Sequence, residues 1–167
     1  MDTHFVIAFA TVIVVAFLSS KFTRENIRSS WYECIKPPLT PPPYVFPLAW
    51  TILYIIIAYC FGIALKAQEN YLILLFVINL LYNIIWCYLY FTNKRVDIAF
   101  LAILFIVAST IQIIRFTNDA NVKKLMMVYL AWISFAAILN LQSIQKQEAC
   151  LDAIEQTTEG LVNSTHA

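Results

Sequence analysis

Residues 71–91 read YLILLFVINLLYNIIWCYLYF, without one Asp, Glu, Lys or Arg. Nothing in the stretch alternates with a period of two, and it matches the ~17–25 residues that a helix needs to cross ~30 Å of hydrocarbon. In lipid a backbone must satisfy its own hydrogen bonds, which a helix does and a lone strand does not. The stretch therefore reads as a transmembrane helix. Its polar and aromatic residues keep to one side: Asn79, Asn83, Trp86 and Tyr90 fall at i, i+4, i+7 and i+11.

Four further stretches, residues 5–20, 46–65, 98–114 and 125–144, are equally apolar and uncharged. The chain as a whole is 61% hydrophobic and 13% charged, against ~45–50% and ~25% in soluble domains. The expected fold is an all-α integral membrane protein, a bundle of five transmembrane helices. Residues 1–146 form that domain, and residues 147–167 form a polar C-terminal tail that extends the last helix by a few turns and frays. The first stretch could be a signal peptide. Residues 1–4 offer no basic region, however, and no A-x-A site closes the stretch, which favours a retained helix.

The connection between helices one and two is long and becomes proline-rich at Lys36-Pro37-Pro38-Leu39-Thr40-Pro41-Pro42-Pro43. Proline fixes φ and removes a donor, so this segment is not helix interior; it should be extended and stiff. It serves either as a rigid connector or as a lid over the mouth of the bundle. Loops on the N-terminal side carry Lys66, Arg115, Lys123 and Lys124. The opposite side carries Lys21, Arg24, Arg28, Lys36, Lys94, Arg95 and Lys146, which places the long loop and the C-terminus in the cytosol.

Several chemistries find no support. Net charge is +1 and no basic run is interleaved with aromatics, so no nucleic-acid partner is expected. The histidines, His4 and His166, lie at the two ends, leaving none within the helices for a metal or haem iron. Cys34, Cys60, Cys87 and Cys150 have no zinc spacing and suggest no disulfide framework. No metal site, required cofactor or conventional catalytic motif is expected. Ion-coupled transport ranks low, because no ionisable residue sits at membrane depth.

What remains is a set of inward faces. Trp50 and Tyr54 share a face on helix two, as do Trp132, Ala136 and Asn140 on helix five. With the helix-three face they describe an interior for a large, flat, mostly apolar molecule. Two structural readings stand beside it: asparagines that glue helix to helix, and tryptophans in an interfacial belt.

The stretch WYECIKPPLTPPPYVFPLAWTILY, residues 31–54, resembles the proline-rich loop and second helix of the translocator protein family, the tryptophan-rich sensory proteins or peripheral-type benzodiazepine receptors (TspO/MBR). Trp31-Tyr32, Lys36-Pro37, Pro41-Pro42, Phe46, Trp50 and Leu53-Tyr54 carry the likeness. It continues through Asn83, Trp86 and Tyr90-Phe91 to VYLAWISFAAILN, residues 128–140. The resemblance implies a membrane receptor or carrier for tetrapyrroles such as protoporphyrin IX and haem, held as ligands. The implied ligand walls are Tyr32, Pro42, Trp50, Tyr54, Asn83, Trp86, Phe91, Trp132, Ala136 and Leu139, with hydrogen bonds donated by Trp50 and Asn83. It also implies two alternatives. One is light-dependent porphyrin breakdown, with Trp50 and Trp132 as the catalytic pair. The other is cholesterol or lipid transport. Leu141 stands where the family's sterol motif has Tyr, and its basic residue is displaced to Lys146, which weakens the sterol reading. The first helix lacks the family's glycines and offers Ala8, Ala10, Ala16, Ser19 and Ser20 instead, so a homodimer is an open option. The implied membrane is the outer mitochondrial membrane for a eukaryotic-type member and the cell envelope for a bacterial-type one.

Overall fold

The computed structural model describes residues 2–165, with side chains through Leu151. Six α-helices follow one another: α1 (Thr3–Asn26), α2 (Ser30–Ile35), α3 (Val45–Ala67), α4 (Asn70–Cys87), α5 (Val96–Phe116) and α6 (Ala120–Thr165). A π turn, Tyr88–Thr92, continues α4. Five helices are long and apolar enough to cross a membrane, α4 counting together with its π turn. They are the five stretches read from the sequence.

The helices form a ring. α1 lies beside α3 and α4, α4 beside α5, α5 beside α6, and α6 beside α3 closes it. α1 turns Ala8, Val12, Val15 and Ser19 inward, residues spaced at i, i+4, i+7 and i+11. Its opposite face presents Ile13, Val14 and Phe17, and α5 likewise turns Leu101 and Phe105 outward. Apolar outward faces suit a lipid surround, so this chain is an integral membrane protein. The α1–α3 contact is close because Gly62 has no side chain. A Cβ there would stand 2.5 Å from the Phe5 ring. The same pair of helices is clasped at one end, where the Asp2 carboxylate caps α1 by accepting from the His4 N–H at 3.2 Å and pairs with Lys66 at 3.2 Å. α3 ends at Gln68, whose left-handed backbone (φ 55°) lets the N–H groups of Gln68 and Glu69 reach the carbonyls of Leu65 and Ala64.

The first connection is more structured than the sequence suggests. α1 runs on through Lys21 and Arg24, and α2 forms within the charged half. Ser29 caps α2 by accepting from the Tyr32 N–H at 3.2 Å. The proline half stays non-helical, but instead of running straight it folds through two turns, closed by Thr40 N–H to Pro37 O and Val45 N–H to Pro42 O. The tail extends the last helix: α6 continues past residue 146 to Thr165, and residues 145–159 contain neither proline nor glycine.

The cysteines require a correction. Cys34 of α2 and Cys150 of the α6 extension form a disulfide, with Cα atoms 6.3 Å apart. The two are separated by 116 residues. Only the tertiary placement of α2 against α6 brings them together, and connectivity of that kind is not readable from spacing.

Candidate functional site

The short helix α2 lies across one end of the ring, packed on the π turn and α6. Tyr32 and Ile35 point down into the protein and are buried. The Tyr32 ring stands 5.8 Å from Phe91, and Trp31 lies edge-on to Tyr90 at 6.3 Å. Lys94 sits 5.6 Å over the Trp31 ring, within cation–π range. Burial, and then the neighbouring Glu33 charge, raise the Tyr32 hydroxyl above its ordinary value, so it remains a neutral donor. Thr92 Oγ1 donates to Glu25 Oε2 at 3.2 Å, tying the end of α1 to the end of the π turn.

Two consecutive aromatics of the π turn, Tyr90 and Phe91, are buried. Its i→i+5 bond, Asn93 N–H to Tyr88 O at 2.9 Å, accommodates one residue more than an α-turn closed by i→i+4.

Below this cap, polar side chains bridge α4 to α6 and α5. Trp86 Nε1 donates to Asn140 Oδ1 at 2.9 Å, and Asn140 Nδ2 donates to Val96 O at 2.8 Å. Ser143 spends its proton on Leu139 O, so Tyr90 donates to Ser143 Oγ at 2.6 Å. Deeper still, Asn79 Nδ2 donates to Ser109 Oγ and Thr110 Oγ1, both at 2.9 Å. Its Oδ1 accepts from Tyr129 Oη at 3.0 Å, and Tyr129 Oη accepts from Asn83 Nδ2 at 2.9 Å. Asn79, Asn83 and Asn140 are each 1% exposed or less. Asparagine amides at this depth are costly unless paired, and these are paired.

The other side of the interior is built differently. From α3, Trp50 lies 5.5 Å from Tyr54 with rings tilted by 35°, and Phe46 meets Trp132 of α6 edge-on at 5.8 Å. Trp132 also lies 5.9 Å from Phe135. The Trp132 indole N–H is buried yet has no hydrogen-bond partner among the described residues.

Of the residues expected to line a site, Tyr32, Asn83, Trp86, Phe91, Ala136 and Leu139 are buried, and Trp50, Tyr54 and Trp132 are half-buried. Pro42 is exposed on the proline-rich connection. Tyr32, Trp86 and Phe91 come together with Tyr90 where α2 meets the π turn. Trp50 and Tyr54 pair on α3, and Trp132 joins α6 to α3 through Phe46. Asn83 is occupied by Tyr129 and Asn79. Sequence reasoning missed Tyr129, Ser109, Thr110 and Ser143. Tyr129 had a signal, since it precedes Trp132 by three and shares its face. The α5 hydroxyls had none.

The chain matches the TspO/MBR family over residues 7–145. It is 35% identical over 145 residues to the tryptophan-rich protein TspO of Chlorobaculum tepidum, covering 80% of this chain and 89% of that one. Over 138 residues it is 31% identical to the tryptophan-rich protein TspO of Archaeoglobus fulgidus, covering 77% and 87%. It is 29% identical over 121 residues to the tryptophan-rich sensory protein of Cereibacter sphaeroides, covering 69% and 75%. Five spanning helices, an aromatic interior and this match along most of its length establish that the chain belongs to the TspO/MBR family.

Proposed function

We propose that this protein is a membrane receptor or carrier for tetrapyrroles, protoporphyrin IX foremost, held in the interior between α3, α4 and α6. The observation that carries this reading is the Trp132 indole: a buried N–H with no partner among the described residues, set among the rings of Phe46 and Phe135. Buried donors are rarely left unpaired, and an orphan beside flat apolar walls suits a ligand that brings its own acceptor. A porphyrin supplies both parts, a planar apolar macrocycle and propionate oxygens. The same features accept haem as cargo. The mouth under α2 and the C-terminus face the cytosol, following the loop charges.

A second reading, light-driven porphyrin breakdown, draws on the half-buried indole of Trp50 beside Tyr54. One experiment tests both. Protoporphyrin IX is titrated into the detergent-purified protein and tryptophan quenching is followed, in the dark and then under illumination, for wild type and Trp50→Phe. Saturable quenching in the dark is the expected result, and its absence would overturn the receptor reading. A new absorbing product in illuminated wild type alone would establish the photochemical one. Binding lost together with turnover in Trp50→Phe would count against a separate chemical role for that residue.

A further inference from the structure

The Cys34–Cys150 bridge is joined to nothing in the reading above, yet it ties α2, which lies across one end of the ring, to the extension of α6. α2 is the only helical part of the lid, and its inner face holds Tyr32 and Ile35 against the aromatic cluster. Its other ties are the Trp31–Tyr90 edge contact at 6.3 Å, the Lys94–Trp31 contact at 5.6 Å, and Glu33 to Lys36 at 3.6 Å within the connection itself. The disulfide alone fastens it covalently, and to α6, the helix that carries Trp132, Ala136 and Leu139. Cys34 is exposed and Cys150 half-buried, so a solution thiol can reach the sulfurs. The two remaining cysteines, Cys60 and Cys87, are buried inside the bundle and are poor competitors.

We propose that Cys34 and Cys150 form a thiol–disulfide exchange site that latches the lid: bridged, the lid is held shut over the interior; reduced, it opens. The reactant is a low-molecular-weight thiol of the glutathione class. One thiolate attacks a sulfur of the bridge, forming a mixed disulfide and releasing the other cysteine as thiolate, which takes up a proton. A second thiolate attacks the mixed disulfide and releases the second cysteine. The net change is two small thiols oxidised to their disulfide while the protein disulfide takes up two electrons and two protons, and the reverse exchange with the oxidised small disulfide closes the latch. On the cytosolic face proposed above the resting thiol pool favours the reduced, open pair, and a rise in oxidised small disulfide closes the latch. The consequence for ligand traffic rests on the receptor reading; the latch itself does not.

The test therefore reads the lid first and the ligand second. Backbone hydrogen exchange of residues 30–44 is measured on the full chain in detergent, after incubation with oxidised glutathione or with dithiothreitol, for wild type and Cys34→Ser. Alkylation by iodoacetamide before and after reduction records the bridge. Reduction of wild type is expected to speed exchange in the lid by at least about tenfold, as local opening replaces closure, with no change across α4. Cys34→Ser should exchange fast under both conditions. Equal lid exchange in both redox states, or alkylation of both cysteines after oxidised glutathione, would overturn the latch. Protoporphyrin IX association is then followed under the same two conditions, with faster entry expected after reduction. A lid that loosens in a protein showing no saturable porphyrin binding would keep the latch and refute the receptor reading instead.

Discussion

The seam between α4, α5 and α6 and the face between α3 and α6 are both lined with aromatic and polar groups, but they settle their hydrogen bonds in opposite ways. Along the seam, each of these side-chain donors is answered: the Asn79 amide by Ser109 and Thr110, the Asn83 amide by Tyr129, the Trp86 indole by Asn140 and the Tyr90 hydroxyl by Ser143. On the α3–α6 face the Trp132 N–H is buried without an answer. A side chain whose bonding capacity is filled by the protein fixes architecture. One left with capacity to spare is available to something else. The two tryptophans Trp86 and Trp132 have the same chemistry, and among the described residues only Trp86 has its N–H answered.

Removing the hub of the seam should give the largest effect. Asn79→Leu deletes its bonds to Ser109, Thr110 and Tyr129. At ~0.6–1.7 kcal/mol for each hydrogen bond between membrane helices, the loss is about 2–5 kcal/mol, read as a lower Tm in detergent. An unchanged Tm would mean that the seam is not what holds α4 to α5. Next comes the unanswered donor. Trp132→Phe should weaken protoporphyrin binding about tenfold while leaving Tm in place, because no protein bond is lost. If stability fell and affinity did not, Trp132 would belong with the seam. Trp86→Phe should do the reverse, costing about 1 kcal/mol of stability by stranding Asn140 Oδ1 and sparing affinity for any ligand held on the α3 side.

The smallest effect lies outside both regions and serves as their control. Hydrogen bonds from His4, then the Lys66 charge, lower the Asp2 carboxyl to about 2. Its folded-state value lies below the ordinary one near 3.8, so its contribution is complete above that pH and disappears as the pH falls towards 2. Acidification through that window should loosen the α1–α3 clasp in wild type and have less effect in Asp2→Asn, seen as exchange at residues 3–6. The seam, built of neutral groups, should not follow.

The fold was legible because hydrocarbon imposes a length and forbids charge, and all five stretches obey. The faces of α4 and α6 were legible for a similar reason: at helical spacing, Asn79, Asn83 and Trp86 can avoid lipid only together. What those amides would touch was not legible. Asn83 resembles a ligand contact in sequence and is held by Tyr129 in the structure, and Ser109 and Thr110 look like ordinary small residues of an apolar helix. Partners across helices depend on rotation and depth, which no one-dimensional pattern records. The disulfide escaped for the same reason, since 116 residues separate its halves.

The π turn has a consequence for length variation. Deleting a residue from the middle of α4 would rotate everything downstream by ~100° and drive the seam's amides towards lipid. Deleting one between Tyr88 and Thr92 would instead let the wide turn close into an α-turn, leaving the helix continuous. What would change there is the packing of Tyr90 and Phe91 against Tyr32 and Trp86. The helix can absorb a gap at that point, and the aromatic cluster beneath α2 records it.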